Sequence, residues 1–423
     1  MAKNRSGNPA VRMSKSEAAE MDAVNEWASK RAAKNHRAIM IASNAPWTNT
    51  GYGQQCAQLV TRLKRDGHKC AVAVNYGLEG TTSAWNGIPL FPRGFALHSE
   101  DVVPAYVQAW AHQNPSLDPL LITLYDVWVF KGEPWDHVPQ IAPWVPIDHY
   151  PVPPAVMAFL SKPNVTPIAM SQFGQQAILD AGIKDCLYVP HAIDTKVFTP
   201  TRTFSTPQGT MTGREFMGIS DDRYVVGMVS ANKGAVPNRK SFPESFQAFA
   251  RFAQTRPDAI LYVHTEARPS MGGIDLLTLA QACGIREEQI KFPDPFVLRM
   301  GVPNEVMAAI YTSIDVLLQP SMGEGFGIPL VEAQACGTPA IVSDATAQPE
   351  LLGVGWLVEG QPWWDPMQSS WLHQPFVDSI VGALEDAHSR PRERSEKAIE
   401  FAAQYDADLV FDASWRPTIK ALA

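Results

Sequence analysis

Long apolar runs are missing from this sequence: none approaches the ~20 residues a helix needs to cross a bilayer. The opening Met1-Ala2-Lys3-Asn4-Arg5 lacks the apolar core of a signal peptide. Cysteine is scarce. Cys56, Cys70, Cys186, Cys283 and Cys336 are scattered, odd in number and never in Cys-x-x-Cys spacing. That excludes a disulfide framework and a structural zinc site, and reads as reduced thiols used as small buried hydrophobes. A cytoplasmic location is the expectation. Excess positive charge is also absent, since the formal net charge is −8. Residues 1–37 hold eight Lys/Arg against four acids, which leaves 27 basic and 39 acidic residues for the rest. A body that acidic argues against a general nucleic-acid binder. The basic tail is expected to be a solvated extension, with contact to an anionic surface as the alternative.

What the sequence does have is globular composition, 45% hydrophobic and 18% charged, over 423 residues, a length that suits two α/β domains. A tail and helix are expected over 1–36, with Ser14 and Glu17 as a capping box. Apolar runs such as Ala38–Ala42 and Cys70–Val74 alternate with helical patterns, which implies a doubly wound parallel sheet over 37–203. Pro46 to Gly53 reads as a loop before a helix Gln54–Asp66, and Phe198 to Thr212 as an interdomain linker. The alternation restarts at Val225–Val229, so 204–390 forms a second domain of the same class. A helical region, 391–423, follows and is expected to pack back on the first. Trp363, Trp364, Asp365 and Trp371 fall in an aromatic-rich loop, read as local packing rather than sugar stacking.

The most informative stretch is Pro320-Ser321-Met322-Gly323-Glu324-Gly325-Phe326-Gly327-Ile328-Pro329, continued to Pro339. A glycine-flanked loop leaves a strand and enters a helix. Glycines let backbone amides approach a ligand, and a helix N-terminus favours an anion such as a diphosphate. Glu324 and Glu332 are separated by seven residues. Each carboxylate can accept two bonds from vicinal hydroxyls, so one suits a ribose and the other a sugar ring. The bland alternative is an ordinary strand–loop–helix with Glu324 near a cap.

With these motifs the sequence resembles the retaining GT-B glycosyltransferases, family 4-like (glycosyl transferases group 1), from Arg37 to about Gly360. Thr50-Gly51-Tyr52-Gly53 is similar to that family's N-terminal glycine loop, and Tyr188 to Pro200 to the segment closing its first domain. The resemblance implies two Rossmann-like domains facing across a cleft. It implies that Gly51, Tyr52 and Gly53 face the donor phosphates, that Glu324 and the amides of Gly325, Phe326 and Gly327 meet the transferred sugar, and that Glu332 holds the ribose. Arg239 and Lys240 are matched to the family's diphosphate pair, with Lys233-Gly234 as a competing register. A first-domain histidine is expected after the fifth strand, where Asp148 and His149 stand; the choice between them stays open. Asp126 ends the preceding strand and should reach the same cleft.

The implied reaction moves a hexose from a nucleoside-diphosphate sugar, with UDP or GDP as carrier, to an acceptor hydroxyl with retention. Catalytic roles fall to Asp148, His149, Glu324 and Lys240. No Asp-x-Asp motif precedes a candidate donor site, so neither metal nor cofactor is expected. The acceptor stays open among lipid, glycoside, protein and modified nucleobase. The competing readings are a sugar-nucleotide epimerase on the same fold and a non-catalytic nucleotide-sugar-binding protein.

Overall fold

The computed structural model describes residues 36–269 and 272–423. The helix expected from Ser14, and the basic tail before it, lie outside the described residues. In the first domain, strands β1 (Arg37–Ser43), β2 (Lys69–Val74), β3 (Ser83–Trp85), β4 (Ile88–Phe91), β5 (Asp118–Thr123), β6 (Ile141–Val145), β7 (Ile168–Ala169) and β8 (Leu187–Tyr188) form one sheet. Their spatial order is β3-β4-β2-β1-β5-β6-β7-β8, and only the β3–β4 pair is antiparallel. All seven residues of β1 are buried, because helices cover both faces of a parallel sheet.

A hairpin of β9 (Thr203–Thr206) and β10 (Gly209–Thr212) follows. The second sheet contains β11 (Tyr224–Val229), β12 (Ala259–His264), β13 (Ile290–Lys291), β14 (Val316–Gln319), β15 (Ala340–Ser343) and β16 (Gly355–Val358). Its order is β13-β12-β11-β14-β15-β16, parallel throughout. The helix Phe242–Ala253 shows why this half holds together. Phe242, Phe246, Phe249 and Phe252 recur at helical spacing and are all fully buried against the sheet. Each such burial is worth ~1.5–3 kcal/mol. An antiparallel hairpin of β17 (Gly360–Asp365) and β18 (Ser370–Pro375) extends from the end of β16.

The chain then returns to the first domain. After helix Val377–His388, the segment from Glu396 to Ala421 runs as short helices across to the first sheet. There Trp415 stands edge-on to Trp144 at 4.8 Å, and the Leu422 carbonyl accepts from Arg37 Nη1 at 2.6 Å and Gln140 Nε2 at 2.9 Å.

Three local expectations need correction. The first helix begins at Gly51 rather than Gln54, because the Thr50 hydroxyl caps it by accepting from the Gly53 amide at 3.1 Å. Gly51, Tyr52 and Gly53 are therefore its first turn rather than a loop. The linker read from Phe198 to Thr212 contains the β9–β10 hairpin. The aromatic-rich loop is the β17–β18 hairpin, in which Trp364 and Trp371 stay 45% exposed and so are not packed away.

Candidate active site

Both sheets place their switch points at one cleft. In the first, β1 lies between β2 and β5; in the second, β11 lies between β12 and β14. Loops leaving adjacent strands diverge there, opening a crevice at the carboxyl ends. The loop after β1 leads to the helix Gly51–Arg65, and the loop after β14 leads to the helix Ile328–Ala335. A Cβ built on Gly51 would stand 3.2 Å from the Ile328 side chain, so the two helix N-termini meet across the domains. Two such termini concentrate partial positive charge where an anion would enter.

The glycines of the loop after β14 are explained by domain contact. A Cβ on Gly323 would fall 2.1 Å from the Asp148 carbonyl oxygen, and one on Gly325 would fall 2.4 Å from the Pro146 Cβ. Only bare backbone lets the 320–327 loop lie against the segment after β6. Gly327, at φ +120°, adds a turn into the helix that other residues adopt at a cost. Phe326 is buried, with its ring 5.2 Å from that of His191, so its side chain anchors the loop.

Glu324 is the centre of a charge cluster. Its carboxylate is paired with Lys240 and lies 3.3 Å from Arg239 Nη1. Arg239 also donates to the Gly323 carbonyl and stands 3.4 Å from Asp148 Oδ2. Burial works against ionisation of Glu324, but Lys240 and Arg239 outweigh it and hold its pKa down to about 2. Lys240 is shifted the other way, lowered by burial despite Glu324. Asp148 follows the same logic as Glu324. Burial opposes its charge, and Arg239 together with His149 keeps it well below the ordinary carboxylate range. Lys233, the competing match, is exposed. The geometry brings Arg239 and Lys240 onto Glu324.

His149 is buried and bonded at both ring nitrogens. Nδ1 lies 2.7 Å from Asp148 Oδ1, and Nε2 lies 3.2 Å from Asp365 Oδ2. Asp365 was not legible as a site residue, because its partner is 216 positions away in sequence. The one available signal was a lone carboxylate among tryptophans. Asp126, after β5, is half-buried, and burial plus the Asp148 charge raise its pKa to about 6. Tyr52 sits within the field of Asp126 and Asp148, its ring 6.3 Å from Tyr125.

Glu332 lies one turn into its helix, also buried, with no cation paired to it among the described residues. It accepts from the Tyr311 hydroxyl at 2.8 Å, and burial raises its pKa to about 7. Chemically, the cleft offers two helix N-termini, two cations shared by carboxylates, and a separate carboxylate held close to neutrality.

Comparison with known proteins fits this geometry. Residues 225–365 match the family described as glycosyl transferases group 1, a span that includes Arg239, Lys240, Glu324 and Glu332. The matched span is about a third of the chain. A D-inositol 3-phosphate glycosyltransferase of Corynebacterium urealyticum is 30% identical over 236 residues, covering 54% of this chain and 48% of that protein. The O-antigen chain mannosyltransferase B of Escherichia coli is 40% identical over 57 residues, 14% of this chain and 15% of its own. The chain thus spans about half the length of the first of these relatives. Among solved structures, a sucrose-phosphate synthase of Thermosynechococcus elongatus superposes with a TM-score of 0.66 at 17% identity, over 90% of this chain and 99% of that one. WaaG, a glycosyltransferase involved in lipopolysaccharide biosynthesis, superposes with a TM-score of 0.61 at 15% identity, over 91% and 99%. At these identities the likeness is one of fold. The chain has the GT-B architecture of two Rossmann-like domains.

Proposed function

We propose that this protein transfers a hexosyl group from a nucleoside-diphosphate sugar, UDP- or GDP-linked, to an acceptor hydroxyl with retention of anomeric configuration. The observation that carries the reading is the Glu324–Arg239–Lys240 cluster at the meeting of two helix N-termini, with Glu332 one turn further on. In this reading Glu332 accepts from the ribose hydroxyls, while the helix termini, Arg239 and Lys240 receive the diphosphate. Glu324 and Asp148 face the sugar. The amides of Gly325, Phe326 and Gly327, and the turn from Gly51 to Gly53, line the donor.

The demanding event is heterolysis of the bond between the anomeric carbon and the diphosphate oxygen. Negative charge grows on that oxygen as an oxocarbenium-like centre forms. Arg239 and Lys240 are already oriented and partly desolvated, so they stabilise that charge with little reorganisation. The acceptor oxygen bonds to the anomeric carbon on the face the diphosphate leaves, and its proton passes to the departing diphosphate oxygen. No separate side-chain base is required, and the side chains supply the positive charge a metal would otherwise provide.

The test begins with a panel of nucleotide sugars screened for thermal stabilisation, since a ligand bound only by the folded state raises the melting temperature. The stabilising donor should then release nucleoside diphosphate, and EDTA should leave the initial rate within about twofold, because protein groups supply the charge stabilisation. Loss of activity on chelation, restored by magnesium or manganese, would overturn the metal-free mechanism. Stabilisation without turnover would favour a binding protein instead.

A further inference from the structure

We infer that Asp365 is a positioning residue that reaches from the second domain to hold His149, and through His149 fixes the Asp148 carboxylate toward the sugar. The inference rests on the transferase reading above for what Asp148 faces. Its geometric part stands by itself.

Both nitrogens of the His149 ring are engaged by carboxylates, at 2.7 Å to Asp148 and 3.2 Å to Asp365. The ring is 5% exposed and Asp365 3% exposed, so neither is placed to meet a substrate. Asp148 is the outermost member, with 22% of its side chain exposed and its second oxygen 3.4 Å from Arg239. The order Asp365, His149, Asp148, Arg239 therefore runs from the buried interior to the charge cluster. This decides between the two first-domain candidates: Asp148 faces the cleft and His149 stands behind it.

The β17–β18 hairpin is built to deliver Asp365. Side chains alternate across a strand, so Trp363 and Asp365 share one face and the Trp364–Trp371 pair takes the other. The Asp365 face includes Ser370 and Leu372, both buried. The hairpin is tied to both sides of the cleft. The Tyr150 amide donates to the Trp371 carbonyl at 3.1 Å, the Ser370 hydroxyl donates to the Pro151 carbonyl, and the His373 amide donates to the Met322 carbonyl at 2.8 Å. Asp365 Oδ1 accepts from the Met367 amide at 2.9 Å, which orients Oδ2 at the imidazole. The hairpin thus fixes Asp365 relative to the segment after β6 and to the loop after β14 together.

Two carboxylates on one ring favour imidazolium, the only form that donates from both nitrogens. The charged groups acting on the ring are Asp148, Asp365 and Asp126, while Arg239 and Lys240 act on the Asp148 carboxylate. Burial works against protonation of His149, and the Asp148 and Asp365 bonds outweigh it, raising its pKa above the ordinary histidine value. The bridge is therefore complete at low pH and is lost as pH rises through the raised His149 pKa.

The experiment is an NMR titration of the His149 ring in the full chain and in Asp365→Asn, alongside pH profiles of kcat. In the wild-type chain the ring midpoint should lie above 6.5, the ordinary histidine value. In Asp365→Asn it should fall by about one unit or more, the scale of removing one adjacent opposite charge. Over the same series kcat should drop ~10²-fold, as for a misplaced reacting group, with the donor KM little changed and the alkaline limb shifted down with the midpoint. Asp365→Glu should recover part of both. A wild-type midpoint below 6.5, readable even if Asp365→Asn fails to fold, overturns the proposal. A shifted midpoint with unchanged kcat overturns the positioning role. Failure of the transferase reading shows separately, as absent turnover in the wild-type chain with the titration unaffected.

Discussion

Glu324 and Glu332 leave the same strand–loop–helix within eight positions, both buried, yet their surroundings drive them in opposite directions. Glu324 meets Lys240 and Arg239 and is held down at about 2, while Glu332 meets one tyrosine hydroxyl and rises to about 7. Burial is common to both; the partners decide. A carboxylate paired with two cations stays charged across the ordinary pH range, its burial compensated by those partners. A carboxylate with a single neutral donor keeps acceptor capacity for further hydroxyls. In the proposed function, the first end meets the diphosphate through its cations and the second meets the ribose hydroxyls.

Removing Lys240 should break the charged end most severely. Lys240→Ala should lower kcat ~10²-fold or more, the scale seen when one preorganised donor is lost. A rise in KM alone would mean equal binding of ground and transition states. Lys233→Ala should be mild, and steady-state kinetics on both variants, with folding checked by circular dichroism, reads the difference. A fully active Lys240→Ala enzyme would move the phosphate site to the Lys233-Gly234 turn.

The hydroxyl end predicts a smaller effect, on binding. Glu332→Ala should weaken nucleoside diphosphate affinity by ~1.5–3 kcal/mol, as for charged hydrogen bonds, measured by calorimetry. Unchanged affinity in a folded variant would take Glu332 out of the site.

The contrast also has a pH signature. Ribose hydroxyls donate to an ionised carboxylate, and Glu332 in the free protein holds its proton up to about pH 7. Binding below that pH must release the proton, so affinity should fall by up to about tenfold per unit as pH drops from 7 toward 5. For the free protein the sign is the reverse. A carboxyl raised above its ordinary 4.5 adds stability at low pH, and that contribution is lost as pH rises from 4.5 through 7. Calorimetry in buffers of different ionisation enthalpy would count the proton. Glu324, charged throughout that range, should add nothing to the slope, and Glu332→Ala should flatten it.

Legibility in the sequence followed locality. β1 and β11 are buried along their whole length, so their apolar runs announce strands without help from distant residues. The loop from Gly323 to Gly327 was legible because glycine density marks close approach. What approaches Gly323 and Gly325, however, is the chain after β6, a contact that no nearby residue encodes. The β3–β4 and β9–β10 hairpins escaped because short, exposed strands such as Thr203–Thr206 carry little apolar alternation. Thr50 carried a capping signal, yet the glycines beside it read as a loop. Asp365 needed both a hairpin register and a partner in the other domain before its role could appear.

Proton NMR of the anomeric centre, during turnover of the nucleotide sugar that stabilises the chain most, puts the proposed donor site of Glu324, Arg239 and Lys240 to the test. Nucleoside diphosphate should appear in step with a product whose anomeric configuration matches that of the donor. An inverted product, or no nucleoside diphosphate release from any UDP- or GDP-sugar in the panel, would contradict a site built for retaining transfer.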